Sequence, residues 1–155
     1  MSNWAPRDPN FEQRVRDSYA RQAAMAFLGA TMARVVPGGV VLELPFRREI
    51  TQQHGFVHAG VGTSVMDSAC GYAALTLMDR GTGVLSVEFK VNLLAPAQGQ
   101  LFRAIGKVVR SGRTLVVTTA ELRAFATPQE RSDGALVAMM TATIMTVRDR
   151  PDLLD

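Results

Sequence analysis

One carboxylate stands in the most apolar part of the chain. The stretch GFVHAGVGTSVMDSACGYAALTLM, Gly55 to Met78, contains a single formally charged residue, Asp67. Burying a lone carboxylate is expensive unless hydrogen bonds or a partner offset it, and no cation lies nearby in sequence. Asp67 therefore either hydrogen-bonds to a strand and fixes register, or does chemistry. The residues before it favour chemistry: Gln52-Gln53-His54-Gly55, then His58-Ala59-Gly60. A helix that begins near His58 leaves the backbone N–H groups of Ala59 and Gly60 as terminus donors. With the helix dipole they favour developing negative charge. A carboxylate about two turns further along the same helix suits acyl transfer.

The elements that must hold these groups can be read from spacing. Residues three and four from Asp67 on a helix are Thr63, Ser64, Cys70 and Gly71, with Gly60 and Ala74 a turn further out, and all are small. Val61, Val65, Ala69, Tyr72 and Leu77 form a core stripe on the other side. The helix is thus expected to rest on a sheet while its small face admits a ligand, a second subunit or both. Before it, Phe11, Val15, Tyr19, Ala23 and Phe27 recur every four residues, which predicts one amphipathic helix over about 10–28. Two β-rich runs flank Pro37-Gly38-Gly39 and predict a hairpin. After the central helix come four β-rich runs, about Val84–Leu94, Leu101–Val109, Thr114–Phe125 and Ala135–Val147. Helix, two strands, long helix and four strands make an α+β fold with an antiparallel sheet. No internal repeat or composition shift marks a boundary, so residues 1–155 are read as a single domain with its core over about 30–147.

Composition removes several function classes. The chain has 155 residues, 47% hydrophobic and 20% charged, with a net charge of +3. That charge is spread out and not interleaved with aromatics, which argues against nucleic acid. Cys70 is the only cysteine, so neither an intramolecular disulfide nor a cysteine-based zinc cluster can form, and the thiol reads as buried and inert. No run is long and apolar enough to span a membrane, and charges sit where a signal peptide needs an apolar core. A soluble, cytoplasmic protein is expected, with no membrane partner. His54 and His58 lack a clustered third ligand, so no metal and no cofactor is expected. Gly60-x-Gly62 is a fragment of a phosphate-loop pattern without its third glycine or βαβ setting, and close helix packing accounts for it better.

Taken together, Gln52, His58-Ala59-Gly60 and Asp67 resemble the PaaI-type thioesterases of the hotdog-fold superfamily. Their pattern is Asn or Gln, then His-Gly-Gly, then Asp or Glu nine residues after that histidine. LSVEFKVNLLAPAQGQ is similar to the family strand that ends in Pro-Ala, and GKVVRSGRTLVVTTAEL to the hairpin that follows. The resemblance covers roughly Ala30 to Val147. It implies a sheet wrapped around the central helix, an acyl-CoA substrate, and homodimers (often paired into homotetramers) with sites at the dimer interface. Ala59 stands where the family usually has glycine. Since that position contributes a backbone N–H, alanine is compatible with the role.

The resemblance implies a role for each residue. Asp67 is general base or nucleophile, and the Ala59 N–H holds the oxyanion. Gln52 orients the water or carbonyl, from the opposite subunit, and Ser86 supports the water. His58 either touches the thioester or is bonded to backbone at the helix start, with Gly60 beside it. Arg110 and Arg113 flank the Ser111-Gly112 turn, as a solvated tip or as contacts for the phosphates of coenzyme A. Two rivals remain: a noncatalytic acyl-CoA or lipid-binding hotdog protein, and a hydratase, which would need Asp67 and His58 together as an acid–base pair.

Overall fold

A computed structural model describes residues 4–153 and 155 of the chain. Two short helices, α1 (Phe11–Ala20) and α2 (Ala23–Leu28), precede the hairpin of β1 (Thr31–Val36) and β2 (Gly39–Pro45). The central helix α3 (Ala59–Leu75) follows, then β3 (Gly83–Leu93), β4 (Leu101–Ser111), β5 (Leu115–Phe125) and β6 (Ala135–Val147). The six strands form one sheet in the order β1-β2-β4-β5-β6-β3, every neighbouring pair antiparallel. The antiparallel sheet is the one that spacing predicts, and its wrapping around a buried helix is the hotdog arrangement that the resemblance implies.

Turn chemistry explains the hairpin. Pro37 fixes φ at the first corner, and Gly38 takes the positive φ of 74° that the second corner needs. The Gly38 N–H then donates to Thr76 Oγ1 at 2.8 Å, tying the turn to the far end of α3. The sheet curls around that helix. From Val65 to Leu75 only Asp67 escapes full burial. Its neighbours pack on Leu42, Leu44, Phe102, Met140 and Ile144, all fully buried. Cys70 and Ala74, which spacing assigned to the small outer face, are completely enclosed by the chain's own sheet. Burial pushes the Cys70 thiol up to about 11, so it is an inert core group.

The N-terminal helix expected over 10–28 is broken in two. At Arg21 and Gln22 the N–H groups bond only three residues back, to Ser18 and Tyr19, and Gln22 turns extended. Contacts of high sequence separation hold the corner: the Tyr19 hydroxyl donates to the Ala30 carbonyl at 2.8 Å, and Ser68 Oγ donates to Gln22 Oε1. The four-residue stripe therefore ends at Tyr19. Met25 is the residue buried in α2, and Phe27 is left 81% exposed.

Strand β3 has β6 on one side and a free edge on the other. Every residue from Leu85 to Lys90 is exposed, including Leu85, Val87 and Phe89, and Leu93 and Leu94 continue the apolar edge. A long apolar edge of this kind is a template for another strand. Among the described residues no helix is long and apolar enough to cross a membrane.

The other end of α3 is stopped by a buried arginine. Arg14 of α1 donates to the carbonyls of Leu75, Met78 and Asp79 at 2.8–2.9 Å and lies 3.4 Å from Asp8, with both side chains almost wholly buried. It supplies the donors that the last turn of a helix lacks. Arg14→Met should strip Asp8 of its buried cation and the Met78 carbonyl of its donor, while Leu75 and Asp79 keep the Met78 N–H and the Thr82 hydroxyl, and cost about 3–5 kcal/mol of folding free energy. Urea titration with circular dichroism measures this, and a loss below about 1 kcal/mol would show that the cap contributes little.

Candidate active site

The start of α3 is shaped by His58. Its backbone is extended (φ −61°, ψ 137°), its carbonyl accepts from Val61 and Gly62, and its ring Nδ1 accepts the Gly60 N–H at 2.9 Å. In this geometry Nδ1 is the ring's acceptor, and Nε2 is the nitrogen left to donate. Glycine at 60 makes this possible, since a Cβ there would stand 3.1 Å from Nδ1. The cap uses one of the two N–H groups expected to be open: Gly60 is occupied. Among the described residues the Ala59 N–H has no acceptor.

Ala59 and His58 line a cavity of about 360 Å³ with Gln52, Phe56, Met66, Leu93 and Leu122. Gln52 sits on the loop between β2 and α3. That loop is closed by its N–H bonding to Phe56 and by its side-chain Oε1 accepting from the His54 N–H. The amide Nε2 remains as a donor. Gly62 lies beneath, where a Cβ would meet Leu122 at 2.8 Å, so close packing accounts for the second glycine of Gly60-x-Gly62.

Asp67 is elsewhere. It is half-buried, and Ser86 Oγ on β3 donates to its Oδ1 at 2.6 Å. The two share a second cavity, about 310 Å³, with Gln22, Ser68, Gly71, Tyr72, Val84 and Asp155. The eight residues from Ala59 to Asp67 rise about 12 Å along α3. One chain therefore brings Gln52, His58, Ala59 and Gly60 together, and Asp67 and Ser86 together, but not the two groups with each other.

Arg110 and Arg113 line neither cavity. Both are exposed at the turn between β4 and β5. The register runs Ser111–Val116–Ile144–Ser86, which sets that turn three strands from Ser86, about 14 Å. Within the chain they form a solvated tip. Gln22, Tyr72 and Asp155, which sequence reasoning did not place near Asp67, do line its cavity. They come from the helix break, the far half of α3 and the end of the chain, and no local pattern links them.

The comparisons with known proteins agree with this fold. The sequence model described as the thioesterase superfamily matches residues 54–128. The crystal structure of a thioesterase family protein from Silicibacter pomeroyi is 50% identical, covers 89% of this chain and 98% of that one, and superposes with a TM-score of 0.84. Acyl-coenzyme A thioesterase 13 of Homo sapiens is 29% identical over 109 residues, 70% of this chain and 73% of the relative. The E. coli PaaI protein, at 19% identity and a TM-score of 0.77 over 89% of this chain and 94% of that one, shares the fold. The chain belongs to the thioesterase superfamily, whose reaction is the hydrolysis of thioesters.

Proposed function

We propose that the protein is an acyl-CoA thioesterase that works as a homodimer, with each site built from two chains. The observation that supports it most is the separation of the two half-sites on one helix. Asp67 is tied to Ser86 near the start of β3, while the Ala59 cavity is lined by Leu93 at its end. Two copies joined antiparallel along their free β3 edges would set the start of one strand beside the end of the other. Asp67 of each copy then meets the Ala59 cavity of its partner. The apolar edge from Leu85 to Leu94 is the surface such a pairing would cover. Two such dimers would pair into a tetramer by a further surface, as the family resemblance implies.

The chemistry follows from the groups. Ser86 occupies Oδ1, which leaves Oδ2 of Asp67 to take a proton from water or to attack the thioester carbon itself. In the first case water adds to the carbonyl, the charge moves to the oxygen, and the Ala59 N–H stabilises it. Collapse breaks the carbon–sulfur bond, and the proton held by Asp67 goes to the departing thiolate. A thiol pKa near 8.5 makes that departure easy, so no strong acid is required. Gln52 Nε2 orients the water or carbonyl. His58 acts by capping, which holds Ala59 in place. Its Nδ1, already accepting the Gly60 N–H, is not free to serve as the base that a hydratase pairs with its acid.

Three measurements test the assignment. Asp67→Asn is nearly isosteric and should keep its thermal melt while hydrolysis falls by at least about 10²-fold. A stable variant with wild-type turnover would remove Asp67 from the reaction, and one that binds acyl-CoA beside an equally inactive wild type would favour the binding-protein rival. Gln52→Ala and Asp67→Ala, each inactive, should recover about a quarter of wild-type activity when refolded together, since half of the dimers carry one intact site. No recovery in proven mixed dimers would confine the site to one chain. Ala59→Pro removes the N–H at the first helical position. Proline is accepted there, and the extended His58 before it suits a proline. It should fold and lose about 10²- to 10³-fold in kcat, while Ala59→Gly keeps activity. A folded proline variant at full rate would put the oxyanion elsewhere.

A further inference from the structure

We propose that the cavity beside Asp67 is the acyl subsite, and that Gln22, Tyr72 and Asp155 select acyl groups ending in a hydrogen-bond donor and reject those ending in a carboxylate. This rests on the acyl-CoA thioesterase reading and names its substrate class. A thioester at Asp67 has two arms to place. Coenzyme A is long and must reach solvent, and Gly55 and Gln98, next in sequence to Phe56 and Ala97 of the Ala59 cavity, line a groove of about 610 Å³ with Gln100 and Glu130. The Asp67 cavity is smaller and is bounded by the α1–α2 corner and Asp155. The coenzyme arm fits the first, and the acyl arm the second.

The wall of the second cavity is polar. Gln22 Oε1 accepts from Ser68 Oγ, so its Nε2 is the end left to turn toward a ligand. Tyr72 is buried with its hydroxyl beside Ser18, and Ser18 also bonds Asp155. Asp155 Oδ2 accepts from the Val84 N–H at 3.3 Å, and Arg21 lies 3.6 Å from its Oδ1. Two carboxylates, Asp67 and Asp155, therefore face one small space. A second anion brought in by the substrate would be repelled by Asp67, which among the described residues has no cation beside it, and would find Asp155 already paired with Arg21, whereas a hydroxyl or amine would find acceptors at Asp155 and Tyr72.

The depth follows from the helix. From Asp67 to Tyr72 is five residues, about 7.5 Å of rise, the reach of roughly six chain carbons. Gly71 lies between them and has no side chain to fill the space. A Cβ there would first touch Val84 at 4.0 Å, so larger residues are accommodated by taking cavity volume.

The test is a set of esters of matched length: acetyl-, hexanoyl-, 6-hydroxyhexanoyl- and adipoyl-CoA. Wild type should hydrolyse 6-hydroxyhexanoyl-CoA at least about tenfold better than hexanoyl-CoA in kcat/KM, and adipoyl-CoA at least about tenfold worse. Asp155→Asn should raise the adipoyl-to-hexanoyl ratio about tenfold. Tyr72→Phe should reduce the preference for the hydroxylated ester. Gly71→Val should lower hexanoyl relative to acetyl by about a hundredfold. Turnover with ratios that none of the three variants changes would overturn this proposal and leave the thioesterase reading standing. Absence of turnover on any thioester would overturn both.

Discussion

The contact on which the arrangement depends is the seating of α3 directly against the backbone of β4. Gly106 has no side chain, and one added there would run into the carbonyl of Ala69. That close approach lets the sheet curl far enough to bury α3 from Val65 to Leu75 with Asp67 as the exception. Small residues on the helix follow from it. Ala69, Cys70, Ala73 and Ala74 are all fully buried, because the space between helix and sheet admits little more than a methyl or a thiol. The small-residue content that looked like an open ligand face is mostly a consequence of close packing.

What escapes the packing is the boundary where α3 passes the edge strand. Asp67 is half-buried and holds a hydroxyl hydrogen bond from Ser86, so its charge is neither stranded in apolar core nor fully in water. Such a position leaves the carboxylate able to reach a reacting atom. The exposed β3 edge serves the same end. Val84, Leu85 and Ser86 of that edge strand line the Asp67 cavity.

Much of this was legible in sequence, for identifiable reasons. Pro37-Gly38 names its own turn, and α3 and the four later strands are set by local periodicity and by breakers such as Pro96 and Gly112. The motif residues appeared where their spacing put them, with His58 at the N-cap. The break at Gln22 was not legible, because it contains neither Gly nor Pro and is held by Ala30 and Ser68. The occupied Gly60 N–H depends on a ring rotamer, which sequence does not specify. The polar wall of the Asp67 cavity joins Gln22, Tyr72 and Asp155, whose sequence separation leaves no pattern to read.

The placement of both chemical groups on one straight helix carries a consequence for the fold as a catalyst. A helix fixes the distance between Ala59 and Asp67 at about 12 Å, and no rotamer or loop motion closes that gap without unwinding it. A thioester carbonyl needs its oxyanion donor and its base within hydrogen-bond reach at the same moment. Precision within each half is thus obtained by making the helix rigid, and the same rigidity prevents the halves of one chain from meeting. In the dimer proposed above, a two-fold axis at the free edge of β3 would resolve the conflict, because it would turn one rigid helix into two that run past each other with opposite ends in register. Activity on this reading is inseparable from association, and the concentration of protein sets the number of sites as well as their occupancy.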